Sequence, residues 1–159
     1  HARLMAGLGH AVLAVDRDAT ALAAASGPGI ETRAFDLEHP AAASHADWPL
    51  VPEVFAGIVV THYLHRALML PLLDSLAPGG VLIYETFASG NETVGKPSNP
   101  DFLLRPGELL AACQNLRVLA FEDGFCEQPE RFVQRIVAVN TNVNDTPLPR
   151  RYLLERPEL

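Results

Sequence analysis

The sequence holds 159 residues, with 12 Lys and Arg against 19 Asp and Glu and a formal net charge of −7. That length makes one domain with a real core. The acidic balance argues against a nucleic-acid or anionic-membrane surface, because phosphate binding needs clustered positive charge. A small neutral or cationic ligand suits it better. Cys113 and Cys126 are the only cysteines, and their spacing fits no zinc or C-x-x-C pattern. Two reduced thiols in or near the core of a cytoplasmic protein are expected. No apolar run approaches the ~20 residues of a membrane span.

Arg3 to Leu8 reads as the end of a helix, with Leu4, Met5 and Leu8 apolar and Gly9 closing it. Ala11 to Val15 is a buried strand that ends at Asp16-Arg17-Asp18. Ala19 to Ala25 is an alanine-rich helix, broken by Gly27-Pro28-Gly29. Ile30 to Phe35 is a second strand, ending at Asp36-Leu37. His39 to Pro52 is a polar connection with one short helical turn.

The stretch from Phe55 to Phe87 organises the rest. Ile58-Val59-Val60 and Val81-Leu82-Ile83-Tyr84 are apolar runs without alternation, so both faces of these strands are expected to be covered. Leu68, Met69, Leu72, Leu73 and Leu76 form a helical stripe between them. Pro71 suits the first turn of that helix, and Pro78-Gly79-Gly80 ends it. This is a right-handed βαβ unit.

Ala88 to Asp101 is a long loop with Gly90, Gly95, Pro97 and Pro100 and no hydrophobic period. Loops of this length are functional or mobile, and a lid is expected. Pro106 to Cys113 is a helix. Leu116 to Glu122 and Phe132 to Val139 are strands joined by a loop containing Gly124 and Pro129. No helix fits between them, so they form an antiparallel hairpin. Residues 140–159 read as a tail or edge extension. The fold class is α/β: a doubly wound, mostly parallel sheet with an antiparallel C-terminal hairpin.

Several stretches together resemble the class I S-adenosylmethionine-dependent methyltransferases. They are His1-Ala2-Arg3-Leu4 through Val15-Asp16-Arg17-Asp18, Phe35-Asp36-Leu37, Val60-Thr61-His62-Tyr63-Leu64-His65-Arg66, and Leu76-Ala77-Pro78-Gly79-Gly80-Val81-Leu82. The resemblance covers residues 1–139 and implies a Rossmann-like sheet whose last strand is inserted beside the fifth. Within the family the chain is most similar to small bacterial enzymes of the tellurite-resistance type. There too the fifth strand ends in an E-T-F-like run before a polar loop. One departure stands out: the first strand and its D-x-G-x-G-x-G-like loop are missing and are expected immediately before His1. Either upstream residues supply them, which is the expectation, or a second copy fills the gap by strand exchange in a homodimer. The 159 residues alone are not expected to bind the cofactor with normal affinity.

The resemblance implies S-adenosylmethionine as cofactor and a small-molecule or oxyanion acceptor. It assigns Asp16 to the ribose hydroxyls, with an N-cap near Asp18 as the alternative role. Arg17 lies along the adenine or is simply solvated. Asp36 and the Leu37 backbone read the adenine, against a plain loop aspartate. Thr61 and His62 meet the methionine part. His62, Tyr63 and Glu85 are the catalytic candidates, a histidine there being able to act as general base. Tyr63 and Phe87 offer π-faces to a sulfonium or pack in the core. Arg66, Phe87, Asn91, Lys96 and Arg105 are the acceptor-side candidates. His62 and His65 form H-x-x-H, but without a third ligand no metal is expected. Two other classes compete: a non-catalytic α/β partner-binding domain and a nicotinamide-dependent oxidoreductase. The closing hairpin and the Asp36-Leu37 pair count against the latter.

Overall fold

The computed structural model describes residues 1–39, 48–141 and 151–152. The chain divides into two compact units, His1–Val51 and Pro52–Leu159.

In the first unit, α1 (Ala2–Gly7) leads into β1 (Val12–Asp16), α2 (Ala19–Ala25) and β2 (Ile30–Ala34). β1 and β2 pair in parallel, from Val12 opposite Ile30 to Asp16 opposite Ala34. Asp18 starts α2: its carboxylate accepts from the backbone N–H of Thr20 at 2.8 Å and of Ala21 at 3.3 Å. That satisfies two of the donors a helix start leaves open. Leu22 is the buried side chain of α2. The helical turn expected within His39–Pro52 falls largely outside the described residues.

In the second unit, β3 (Phe55–Thr61) is followed by a 3₁₀ turn (Arg66–Leu68), α3 (Met69–Asp74) and β4 (Leu76–Phe87). Then come α4 (Glu108–Ala112) and the hairpin strands β5 (Arg117–Glu127) and β6 (Glu130–Val139). The sheet order is β3-β4-β6-β5. β3 and β4 are parallel, while β6 runs antiparallel to both β4 and β5. The last strand is therefore inserted beside β4, as the family resemblance implies. Pro71 sits in the first turn of α3, as its spacing suggests.

The core lies on one face of this sheet. Leu82 and Tyr84 of β4 stand beside Ala138 and Ile136 of β6, all buried. Leu109 of α4 and Cys113, which caps its end, cover them, and Met69 and Leu73 of α3 pack against the same cluster.

Three expectations need correction. The apolar run Val81–Tyr84 was expected to be covered on both faces, yet Ile83 is 38% exposed. Among the described residues of this unit, α3 and α4 both serve the same face. Second, Pro78-Gly79-Gly80 does not separate helix from strand; β4 already begins at Leu76. The irregularity is absorbed as a register shift between Phe55 and Gly57. A side chain at Gly80 would bring Cβ within 2.7 Å of the Phe55 carbonyl oxygen, so only glycine fits this close approach. Third, Gly124 is not in the hairpin loop but within β5, opposite Val133.

Candidate active site

In a sheet of parallel strands, ligands meet the carboxyl ends. In the first unit those ends carry Asp16 and, two residues past β2, Asp36. Asp16 Oδ1 accepts from the Asp18 N–H at 2.9 Å, and Asp36 Oδ1 accepts from the Glu38 N–H at 3.0 Å. Each aspartate thus turns its own loop with one oxygen. The second oxygen of each accepts nothing from the described residues. The N-cap role falls to Asp18, not to Asp16. Arg17 is exposed and stands 3.8 Å from the carboxylate of Glu38, linking the two strand ends. Leu37 is half-buried.

In the second unit the ends of β3 and β4 bring Thr61, His62, Glu85 and Phe87 together. Thr61 pairs with Glu85 across the parallel ladder, and the His62 N–H donates to the Glu85 carbonyl at 3.0 Å. His62 has φ 53, a left-handed conformation that costs a non-glycine residue of order 1 kcal/mol or more and collects at functional sites. Its exposed ring stacks on Phe87, with centroids 5.1 Å apart and planes at 22°. Leaving the strand in this way turns the imidazole toward the end of β4.

Glu85 sits in a row of charges across three strands. Arg135 of β6 donates its Nε to Glu85 Oε2 at 2.5 Å and its Nη1 to Glu122 of β5 at 2.9 Å. Those hydrogen bonds, Glu122 first and Glu85 second, hold the Arg135 guanidinium well above its usual pKa. Cys126 Sγ lies 3.4 Å from Arg135 Nη2. Glu85 Oε1 faces His62 Nε2 at 3.9 Å and Arg131 Nη2 at 4.0 Å. The Tyr63 carbonyl accepts from the buried Tyr84 hydroxyl at 2.8 Å. Burial pushes the Tyr84 hydroxyl pKa upward, so it remains a donor.

The loop after β4 is tied down at both ends. Asn91 is buried: its Nδ2 donates to the Pro97 carbonyl at 3.0 Å and its Oδ1 accepts from the Phe132 N–H at 3.2 Å. Arg66 donates to the carbonyls of Asp101 at 2.7 Å and Leu103 at 2.8 Å, and also pairs with Glu108. Hydrogen bonding to Glu108 raises the Arg66 pKa. Arg66 and Asn91 therefore spend their polar groups on the loop itself, which is braced rather than open. Lys96 and the Arg105 side chain are exposed. Gln134, buried under α4, accepts from the Leu109 N–H and donates to the Arg105 carbonyl.

Sequence reasoning missed Arg131, Arg135 and Glu122. The spacing of Arg131, Val133 and Arg135 puts both arginines on one strand face. Only the register with β4 shows that this is the face of Glu85.

No family model matches the chain, and no curated protein matches it in sequence. Solved structures do match. An S-adenosylmethionine-dependent methyltransferase from Mesorhizobium loti aligns with TM-score 0.64 at 16% identity, over 86% of this chain and 84% of that one. TehB from Haemophilus influenzae aligns with TM-score 0.61 at 16% identity, over 84% of this chain but 51% of its own. The N-methyltransferase NodS from Bradyrhizobium japonicum aligns with TM-score 0.59 at 15% identity, over 82% of this chain and 73% of that one. At these identities the likeness is one of fold.

Proposed function

We propose that this chain, which has the Rossmann-like fold of the S-adenosylmethionine-dependent methyltransferases, is itself such an enzyme and methylates a small molecule. The observation that carries the reading is the pair of aspartates at the ends of adjacent parallel strands, each with one carboxylate oxygen left over after turning its own loop. That pair of acceptors fits the adenosine part of the cofactor. Asp16 would accept from ribose hydroxyls, and Asp36 from the adenine amino group, with the Leu37 N–H reading the ring. Arg17, paired with Glu38, lies between the two loops and would flank the base.

The cofactor supplies a methyl carbon already activated by its sulfonium. The protein's part is then to align the nucleophile and exclude water. In the second unit, His62, Glu85 and Phe87 gather at the strand ends. The stacked ring of His62 and the half-buried carboxylate of Glu85 offer the groups that orient an acceptor or take its proton. The net charge of −7 supports a small acceptor over a nucleic acid. No helix among the described residues is long and apolar enough to cross a membrane.

Calorimetric titration of S-adenosylmethionine into the full-length protein and its Asp16→Ala variant tests this. Loss of a charge-assisted hydrogen bond should weaken binding by about 1.5–3 kcal/mol. Unchanged affinity removes the ribose role of Asp16. Absence of binding to the wild type removes the reading as a whole.

A further inference from the structure

Glu85 offers its two carboxylate oxygens unequally. Oε2 is taken by Arg135, whose Nη1 is also held by Glu122. Oε1 faces His62 Nε2 at 3.9 Å and Arg131 Nη2 at 4.0 Å. Both separations are too long for a hydrogen bond, which ends near 3.2 Å for nitrogen and oxygen. Both are the right size for one inserted oxygen. An atom about 2.8 Å from each end of such a gap sees the two ends at about a right angle, which a hydroxyl tolerates.

The chemistry of the gap is specific. Glu85 Oε1 can only accept, and Arg131 can only donate. A hydroxyl does both: it gives its hydrogen to the carboxylate and receives from the guanidinium. Arg131 also has donor capacity to spare. Its Nε is buried and has no partner among the described residues. Among the described residues, its Nη1 reaches only the Pro129 carbonyl, at 3.4 Å. The Arg131 side chain is 21% exposed, so its charge is poorly served by water. Glu85 is already claimed by Arg135, and a half-buried cation with an unfilled donor calls for a second anionic group.

We propose that Glu85, Arg131 and His62 form the acceptor site, and that it takes a small molecule carrying a hydroxyl beside a carboxylate. The hydroxyl sits against Glu85 Oε1, and the carboxylate accepts from Arg131. The stacked faces of His62 and Phe87 bound the site. The inference rests on the methyl transfer proposed above, for which this site would present the acceptor hydroxyl to Glu85 Oε1 as its proton acceptor.

Binding can be judged without turnover. Salicylate, with a hydroxyl next to a carboxylate, is titrated into the full-length protein while the Nε–H resonance of Arg131 is followed by nitrogen-15 NMR. Arg131→Gln assigns that resonance. Benzoate, which lacks the hydroxyl, is the control. Salicylate should shift the Arg131 Nε–H signal and bind at least about tenfold more tightly than benzoate, the worth of one good hydrogen bond. An unmoved Arg131 signal, or equal affinities for the two probes, overturns the proposal. S-Adenosylmethionine is titrated into the same sample. If it fails to bind, the methyltransferase reading falls, and the salicylate result still decides the acceptor site on its own.

Discussion

Arg66 and Glu108 lie 42 positions apart and meet in a two-pronged ion pair, Nε to Oε1 at 2.7 Å and Nη2 to Oε2 at 3.0 Å. The same guanidinium holds the carbonyls of Asp101 and Leu103. One side chain thus fixes the far end of the loop after β4 to the start of α4. Arg66→Ala removes four hydrogen bonds at once. The side chain is 36% exposed, so solvent screening discounts the loss. A destabilisation of about 1–2 kcal/mol is expected in urea unfolding. Amide exchange should accelerate in Ser98–Leu104 and stay slow in Val81–Tyr84. Equal acceleration in both segments would mean the side chain supports the whole unit and not this loop.

Glu108 makes the same brace sensitive to acid. Burial alone would raise its pKa, but hydrogen bonds from Arg66 and the Arg105 N–H outweigh it and bring the value below the ordinary 4.5. A carboxylate with a depressed folded pKa stabilises fully above its unfolded pKa and loses that contribution as pH falls through the folded one. Glu108→Gln should therefore lower the urea midpoint at neutral pH. The gap between wild type and variant should close only below pH 4.5. A gap that stays constant down to the acid transition would show that charge is not what Glu108 contributes.

Gly90 opens this loop at φ 105, and a Cβ there would lie 2.9 Å from the Phe132 ring. Gly90→Ala combines an unfavourable backbone region with a clash against a half-buried aromatic ring. About 2–4 kcal/mol of lost stability is expected from the two effects. Chemical denaturation would measure it, and a loss under ~0.5 kcal/mol would mean that the ring moves aside freely.

The parallel strands, their helices and the closing hairpin were legible because each rests on local signals. Val81–Tyr84 is an unbroken β-branched and apolar run, and Asp18 and Gly27-Pro28-Gly29 bracket α2. The brace on the long loop was not legible. Arg66 and Asn91 read as acceptor-side candidates and Glu108 carried no signal, because the partners that reveal the brace lie far along the chain. From glycine and proline content alone the stretch looked like a lid. The Glu85 row was half legible: the carboxylate was picked out by its place at a strand end. Its arginines were not, because they depend on the register of β6 against β4. Register is fixed by which face is buried across several strands, and no single strand reveals it.

The two thiols should behave differently. Cys113 is fully buried in the core, and burial pushes its pKa up to about 11. The thiolate is the reactive form, so Cys113 should be silent toward a disulfide reagent near pH 8. Cys126 is half-buried on β5 and should react in the folded protein. One thiol should titrate before urea is added and the second only across the unfolding transition. Two equal rates in the native state would place Cys113 outside the core.

β6 follows β3, β4 and β5 in the chain, yet it lies between β4 and β5. It supplies Ile136 and Ala138 to the centre of the core. Just beyond it, Asn140 grips the other end of β4: its N–H donates to the Gly80 carbonyl, its side chain to the Leu76 carbonyl, and its own carbonyl accepts from Gly79. On the ribosome, β4 and β5 therefore emerge with nothing to join them. The nascent second unit can gather α3 against β3 and β4, but its middle remains open until residue 140 has cleared the exit tunnel. Vectorial synthesis cannot fold this unit piece by piece from its N-terminal side; its keystone is delivered last, and the unpaired edges of β4 and β5 wait for it.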